Sequence, residues 1–282
     1  NDTLRVGKKR TSDYGVRWDY YASPLYDDGL MFNWDPATAN ILVAPGTLSK
    51  VSPFYPRSLI NVAEGKVVPS PTKRNFRPRL SAAYRITDKM VLRGGYGEFT
   101  STYGYFFGLL SGGPFQVSES YNNTVTNGTP AFTFPNPFPG STASAAAPGQ
   151  SVTAVPMNMT NGVLRQYNVT LERQVGNLGL RASFIGTRGG GMLYSLNTDK
   201  PQASTIPFTV SRRPLPQFTG TTEYRTNGVW HYDSLQLEVQ KRAGAFTFNS
   251  SFTWANNINN YSNTQDPYNV TNNWSRDGSD RR

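Results

Sequence analysis

The chain has 282 residues and a formal net charge of +10. It has no cysteine, so disulfides, thiol redox chemistry and Cys-ligated metals are excluded. Hydrophobic residues reach only 37% while aromatics reach 13%, and no run of about 18 apolar residues occurs, which excludes a membrane-crossing helix and leaves room for a many-stranded β protein with large loops.

Successive side chains of a strand point to opposite faces, and this chain alternates repeatedly. Asp2 to Val6 reads as the end of a strand, turned at Gly7 to Arg10. In Asp13 to Tyr21, Tyr14, Val16, Trp18 and Tyr20 share one face, and Asp13, Gly15, Arg17 and Asp19 the other. Ala22 to Arg74 is irregular. Within it, Leu30–Trp34 and Ile41–Ala44 bracket a turn and suggest a small hairpin. Pro53, Pro56, Pro69 and Pro71 argue against further strands there. Asn75 to Thr100 predicts two long strands joined at Thr87-Asp88-Lys89. Leu80, Ala82, Tyr84, Leu92 and Tyr96 fall on its apolar face, and Arg79, Ala83, Arg85 and Arg93 on its basic face.

Ser101 to Asn161 is expected to be the longest loop, with a Pro-rich run at Phe134–Gly140 and a low-complexity run at Ser141–Gly149. Strands resume at Arg165–Gln174, turn at Val175-Gly176-Asn177 and return from Leu178, and Gly189-Gly190-Gly191 is expected to end that return strand. Tyr194 to Arg213 reads as loop. Gln217 to Thr226 is a weak strand, assigned to the outer loop or to an extension of the strand that follows. Tyr232 to Arg242 alternates, turns at Ala243-Gly244, and returns with Phe246, Phe248, Phe252 and Trp254 on one face. An Asn-rich loop, Asn256 to Arg282, follows.

The fold class read from this pattern is all-β, with about eight strands in four antiparallel hairpins. Short turns lie inside the hairpins. The long connections between them, about 22–74, 101–161, 189–231 and 256–282, lie at the other end. Short periplasmic turns opposite long extracellular loops characterise an up-and-down transmembrane barrel, whereas soluble sandwiches mix their loop lengths. Trp18, Tyr20, Tyr96, Tyr167, Phe252 and Trp254 cluster near the long-loop ends of their strands, where an interfacial girdle would fall.

The motifs Tyr14-Gly-Val-Arg-Trp-Asp-Tyr20, Phe76-Arg-Pro-Arg-Leu80, Val91-Leu-Arg-Gly-Gly-Tyr-Gly97, Gln166-Tyr-Asn-Val-Thr-Leu-Glu-Arg173, Phe184-Ile-Gly-Thr-Arg-Gly189 and Asp233-Ser-Leu-Gln-Leu-Glu-Val-Gln-Lys-Arg242 follow in order. With Phe248-Asn-Ser-Ser-Phe-Thr-Trp254 and Ser279-Asp-Arg-Arg282, they resemble the barrel of TonB-dependent outer-membrane receptors of the Oar-like type, which carry a carboxypeptidase-regulatory-like domain. The resemblance covers nearly all of residues 1–282. It implies a bacterial outer-membrane location, a barrel of about twenty-two strands around a plug, and energy supplied through the TonB system. On this resemblance the chain is expected to be a portion of such a barrel, without its plug and remaining strands. Glu98, on the outward face, departs from the family pattern.

The polar-face charges Arg17, Asp19, Arg79, Arg85, Arg93, Glu172, Arg181 and Glu238 are the candidate lumen and plug contacts. Trp18, Tyr20, Leu80, Tyr84, Tyr96, Phe184, Phe252 and Trp254 are the candidate lipid-facing or girdle residues. No enzyme chemistry and no cofactor is expected. His231 stands alone, and Gly94-Gly95-Tyr96-Gly97 lies in a strand and opens no helix, unlike a phosphate loop. Asp27-Asp28 and the pair Asp277 and Asp280 read as solvated loop carboxylates rather than a cation site. The cationic residues are scattered without a nucleic-acid motif, so no nucleic-acid partner is expected. The expected partners are outer-membrane lipid, the plug, the TonB system indirectly, and a substrate that the sequence does not specify. Two other readings remain at this stage: a non-transporting, adhesin-like barrel and a soluble β-sandwich binding module.

Overall fold

A computed structural model describes residues 2–103, 110, 112–116, 123–134, 150–241, 246–262, 266–270 and 274–276. Strands β1 (Asp2–Val6) and β2 (Arg10–Asp19) form the first hairpin. The strands β3 (Phe32–Asp35), β4 (Asn40–Val43) and β5 (Val62–Glu64) form a small separate sheet. The long hairpin is β6 (Asn75–Thr87) and β7 (Met90–Ser101). A short ribbon, β8 (Val125–Thr126) and β9 (Thr129–Pro130), and a strand β10 (Gln150–Ala154) precede β11 (Gly162–Val175), β12 (Leu178–Asn197), β13 (Phe218–Lys241), β14 (Phe248–Asn259) and β15 (Ser275–Arg276).

The main sheet has the order β1-β2-β6-β7-β11-β12-β13-β14-β15, with β10 attached to β13. Its eight long neighbours are all antiparallel and follow one another along the chain, apart from the loop strands. This is an up-and-down meander. The hairpin turns at Asp88-Lys89 and Gly176-Asn177 are two residues long, with Thr87 opposite Met90 and Val175 opposite Leu178. The turn expected at Ala243-Gly244 lies outside the described residues, as do Asp277, Asp280, Ser279–Arg282 and the Ser141–Gly149 run. Among the described residues β1 and β14 do not pair, so the sheet is an open arc of wall.

The structure corrects several strand limits. Gly189-Gly190-Gly191 does not end β12, which continues to Asn197. Register shifts between Gly190 and Met192 and between Met192 and Tyr194 bend the strand there, and Gly191 takes a left-handed φ of 70°. The ladder survives because β13 runs opposite as one strand of 24 residues, taking in all of the weak strand Gln217–Thr226 but its first residue as an upward extension. The outer loop about 189–231 is thereby reduced to residues 198–217. The segment 22–74 contains β5 despite its prolines, because Val62–Glu64 falls between Pro56 and Pro69 and lies parallel on β4. The 101–161 connection is likewise not structureless. Its Asn127-Gly128 turn, both residues at positive φ, closes the β8–β9 ribbon. Its β10 lies parallel on Phe218–Glu223, above the point where β14 leaves β13.

The loops carry the hydrophobic core. One cluster joins Phe32, Trp34, Ile41, Val43, Val51, Tyr55, Ile60 and Val62 to Val152 and Ala154 of β10 and Phe218 of β13. Trp34 meets Phe218 edge-on at 5.9 Å between ring centroids. A second cluster gathers Met31, Val67, Tyr103, Leu110, Val155 and Met159. Asn33 pins the two: its amide nitrogen donates to the Val67 and Val155 carbonyls (3.1 and 2.9 Å), and its oxygen accepts from the Val155 N–H (3.0 Å). Gly113 seats directly on the Phe32 ring at a φ of 54°, where a β-carbon would collide with the ring. The two long loops thus close over the top of β12 and β13 as one folded cap.

Candidate functional site

The wall beneath the cap presents opposite faces. On one, apolar residues pair across strands in rows: Tyr14, Leu80, Tyr96 and Tyr167; then Ala82, Gly94, Val169, Phe184, Leu235 and Trp254; then Tyr84, Leu92, Leu171, Ala182, Leu237 and Phe252. Large apolar side chains here stay exposed, including Leu80 at 55%, Phe252 at 61% and Trp254 at 60%. In a soluble protein so broad an apolar face would be an aggregation surface. Trp18 and Tyr20 stack at 6.1 Å at the upper end of this face, and Trp18 Nε1 donates to the Lys73 carbonyl.

Charged residues bracket this apolar face. On β11, Arg165 stands above Tyr167, Val169 and Leu171, and Arg173 below them. Eight residues of strand span about 26 Å, or about 20 Å along the membrane normal at a barrel tilt of about 40°. On β13 the same spacing separates Asp233 from Lys241. This approaches, and falls about 5 Å short of, the apolar band of about 25 Å that outer-membrane barrels show to lipid. Gly186 makes room for the ring of Tyr167, which lies over the position its β-carbon would occupy.

The other face is polar and connected. Arg93 Nε and Arg181 Nε each donate to Glu172, both at 3.2 Å, and Arg181 Nη1 donates to Glu238 at 2.9 Å. Four of the eight polar-face candidates thus form one alternating ladder across β7, β11, β12 and β13. Glu172 faces Arg181, and Arg181 faces Glu238, in register. Thr170 and Ser183 continue the polar face upward with a 3.0 Å hydrogen bond. An open depression of about 420 Å³ lies beside the ladder toward the short turns, lined by Asp88, Gln174, Asn177 and Gln240 among others.

Arg17 and Asp19 belong to a different group, at the junction of wall and cap. Arg17 Nε donates to Asp19 Oδ1, and Thr100 Oγ1 donates to Asp19 Oδ2 (3.0 Å). Arg77 Nε donates to Thr100 Oγ1 at 2.9 Å, and Asn75 Nδ2 donates to the Asp19 and Thr72 carbonyls. Asn75 and Arg77 are buried. Neither is among the polar-face residues expected from the sequence. Their signal was the alternation that already placed Arg79 on this face, hidden within a basic run. Arg79 stacks over Phe99 at 4.7 Å, and Phe99 in turn packs against Gly97. Gly97 and Gly95 therefore make room for side chains of the polar face, Phe99 and Asn168. Arg85 stands lower on the same face, opposite Val91. Glu98 is on the apolar face, as the alternation requires, paired with Arg165 at 3.2 Å and accepting from Tyr96 Oη at 2.7 Å.

No group of three or more His, Cys, Asp or Glu side chains able to hold a metal occurs among the described residues. His231 packs against Trp274 at 5.3 Å, and Asp28 accepts from the Leu30 N–H in its own turn. No helix among the described residues is long and apolar enough to cross a membrane, which says nothing about strands.

The model of the outer-membrane β-barrel domain family matches residues 1–282. The chain belongs to the outer-membrane β-barrel domain family. The chain accordingly belongs in the bacterial outer membrane. Solved structures with a similar fold include the outer-membrane transporter YddB from Escherichia coli, at 12% identity and a TM-score of 0.43, covering 66% of this chain and 20% of that one. The F5-1 variant of the FrpB iron transporter from Neisseria meningitidis is similar at 10% identity and a TM-score of 0.46, covering 93% of this chain and 26% of that one. The copper transporter OprC is similar at 10% identity and a TM-score of 0.41, covering 90% of this chain and 28% of that one. The chain thus spans between a fifth and three-tenths of the length of these structures. No curated protein matches it in sequence.

Proposed function

We propose that the chain is part of the barrel wall and outer cap of a TonB-dependent outer-membrane receptor of the Oar-like type, a transporter and not an enzyme. The observation that carries this reading is the ladder Arg93–Glu172–Arg181–Glu238. With the apolar face toward lipid, the polar face inward and the two-residue turns at the periplasmic end, four linked charged side chains, three of them directly opposite one another and Arg93 on the diagonal, suit a wall that holds a second, polar body rather than bulk water alone. A plug domain is that body. Arg79, Arg85 and the ladder are its contacts, and the cap built from segments 22–74 and 101–161 captures substrate at the mouth.

These 282 residues contain no cysteine, so the test needs only that any cysteine elsewhere in the full-length protein be replaced. A Ser251→Cys variant of the full-length protein places one thiol on the exposed polar face of β14, directly opposite Glu238 of the ladder. With the plug present it should label slowly with a water-soluble maleimide added from the periplasmic side. Deleting the plug should raise the rate at least tenfold, and equal rates would contradict a plug seated on this face.

A further inference from the structure

Residues 198–217, between β12 and β13, are rooted in the cap and braced from within. At the base, the buried Asp199 accepts from the Leu215 N–H at 3.0 Å and pairs with Arg213 at 3.6 Å. Leu215 packs on the cap core that holds Phe218. Arg213 Nη1 also donates to the Thr219 carbonyl at 2.7 Å. Arg212 ties the segment together. Its Nη1 donates to the Ile206 carbonyl and to the Pro207 carbonyl (3.2 Å), and its Nη2 to the Gln202 carbonyl (3.3 Å). Pro201, Pro207, Pro214 and Pro216 further restrict the backbone.

What this brace holds out to water is apolar. Pro207 biases Ile206 to extended backbone. Thr209 is extended, at φ −133° and ψ 155°, and Val210 opens a single 3₁₀ turn. Ile206, Phe208 and Val210 therefore fall on one side, and each is more than half exposed. The Arg213 guanidinium lies 5.7 Å from the Phe208 ring centroid and steadies the ring. A single exposed side chain such as Leu59 needs no explanation, but three in a row on a braced segment do. The main chain is also open: the Phe208 N–H and C=O and the Thr209 and Val210 N–H have no hydrogen-bond partner among the described residues. The charge is one-sided. Lys200, Arg212 and Arg213 are the cations of the segment, and its one carboxylate, Asp199, is buried at the base.

We propose that residues 206–210 are a docking strand for an extended, acidic strand of another protein. The partner pairs its main chain with Phe208 to Val210, covers the row with apolar residues at alternate positions, and sets carboxylates beside Arg212 and Arg213. Because the segment is already rigid, little ordering cost is left for binding. A row kept only for the stability of the cap predicts no partner, since none of its three side chains is buried. The proposal goes beyond the transport reading and does not depend on it.

The test uses the full-length protein in mild detergent and three short dye-labelled peptides, with binding read by fluorescence anisotropy. One alternates valine with glutamate, one alternates valine with lysine, and one is the glutamate peptide N-methylated at alternate backbone nitrogens. The glutamate peptide should bind at least tenfold more tightly than either of the others. Phe208→Ser should weaken it at least tenfold, and Leu59→Ser, another exposed apolar position of the cap, should leave it unchanged. Should Phe208→Ser disturb the segment itself, Ile206→Ser decides, with the same loss expected. Absence of binding, equal binding of the three peptides, or equal behaviour of the row and Leu59 variants would overturn the proposal.

Discussion

The wall and the cap solve opposite problems with the same residue types. In the wall, Leu80, Phe184, Phe252 and Trp254 stay exposed on one face, and the Arg93–Glu172–Arg181–Glu238 ladder lies on the other. In the cap, Phe32, Trp34, Ile41 and Phe218 are buried as in any soluble domain. The wall relies on ladder hydrogen bonds completed within the sheet, because lipid offers none, and on lipid to cover its apolar face. The cap relies on burial of apolar surface from water. The junction is where the solvent changes. There the chain places the polar knot of Asp19, Asn75, Arg77 and Thr100 inside and the Trp18–Tyr20 stack outside. One strand, β13, belongs to both regions, with Phe218 in the cap core and Leu235 and Leu237 exposed on the apolar face of the wall.

The comparison can be broken most forcefully from the cap side. Phe218→Ala removes a fully buried ring from the cap core and should cost about 3–5 kcal/mol there. Limited proteolysis should then cut segment 22–74, while heat-modifiable migration of the assembled barrel persists. Loss of both together would mean that wall and cap are one cooperative unit.

A charge in the wall tests the other side. Ala82→Arg places a cation on the lipid face, where it should cost about 2–4 kcal/mol near the midplane. Ala83→Arg, one residue along and interior, should assemble near wild-type levels. Yields of heat-modifiable protein from the two variants measure this. Asn33→Ala should follow, leaving the buried Val155 N–H without its acceptor at a cost of about 1–3 kcal/mol. Its effect should appear as protease sensitivity of the cap alone.

Alkali should separate the regions with less force. Burial pushes the Tyr55 hydroxyl up to about 12 from its ordinary value of 10.0. The unfolded cap therefore releases that proton first. The contribution is complete below pH 10 and is lost as pH rises toward 12. Cap proteolysis should accelerate across that window, and Tyr55→Phe should flatten the rise. The smallest effect is expected from Glu172→Gln. This partly exposed ladder should change barrel stability by less than about 1 kcal/mol.

How much was legible in the sequence follows from how far apart the partners lie. The four hairpins, their faces and the outward place of Glu98 were readable because strand alternation and turn length are local. The ladder residues were each identifiable as interior, but their connection needs register: Arg93 and Glu172 are separated by 79 positions, and Arg181 and Glu238 by 57. The cap was read as loop because its core joins Asn33 to Val155, 122 positions apart, through parallel pairings that leave no local period. Gly189–Gly191 looked like a strand end because glycine weakens strands. Here the opposite strand holds the ladder and the glycines only bend it.

The central claim is that the wall alternates between lipid and interior with period two while the cap does not touch lipid. Because the chain has no cysteine, a fluorophore can be attached at single sites from 80 to 85 along β6 and at Leu59 in the cap. Quenching by lipids brominated along their acyl chains should be strong at 80, 82 and 84, weak at 81, 83 and 85, and absent at 59. Uniform quenching along β6, the inverse alternation, or quenching at 59 would contradict it.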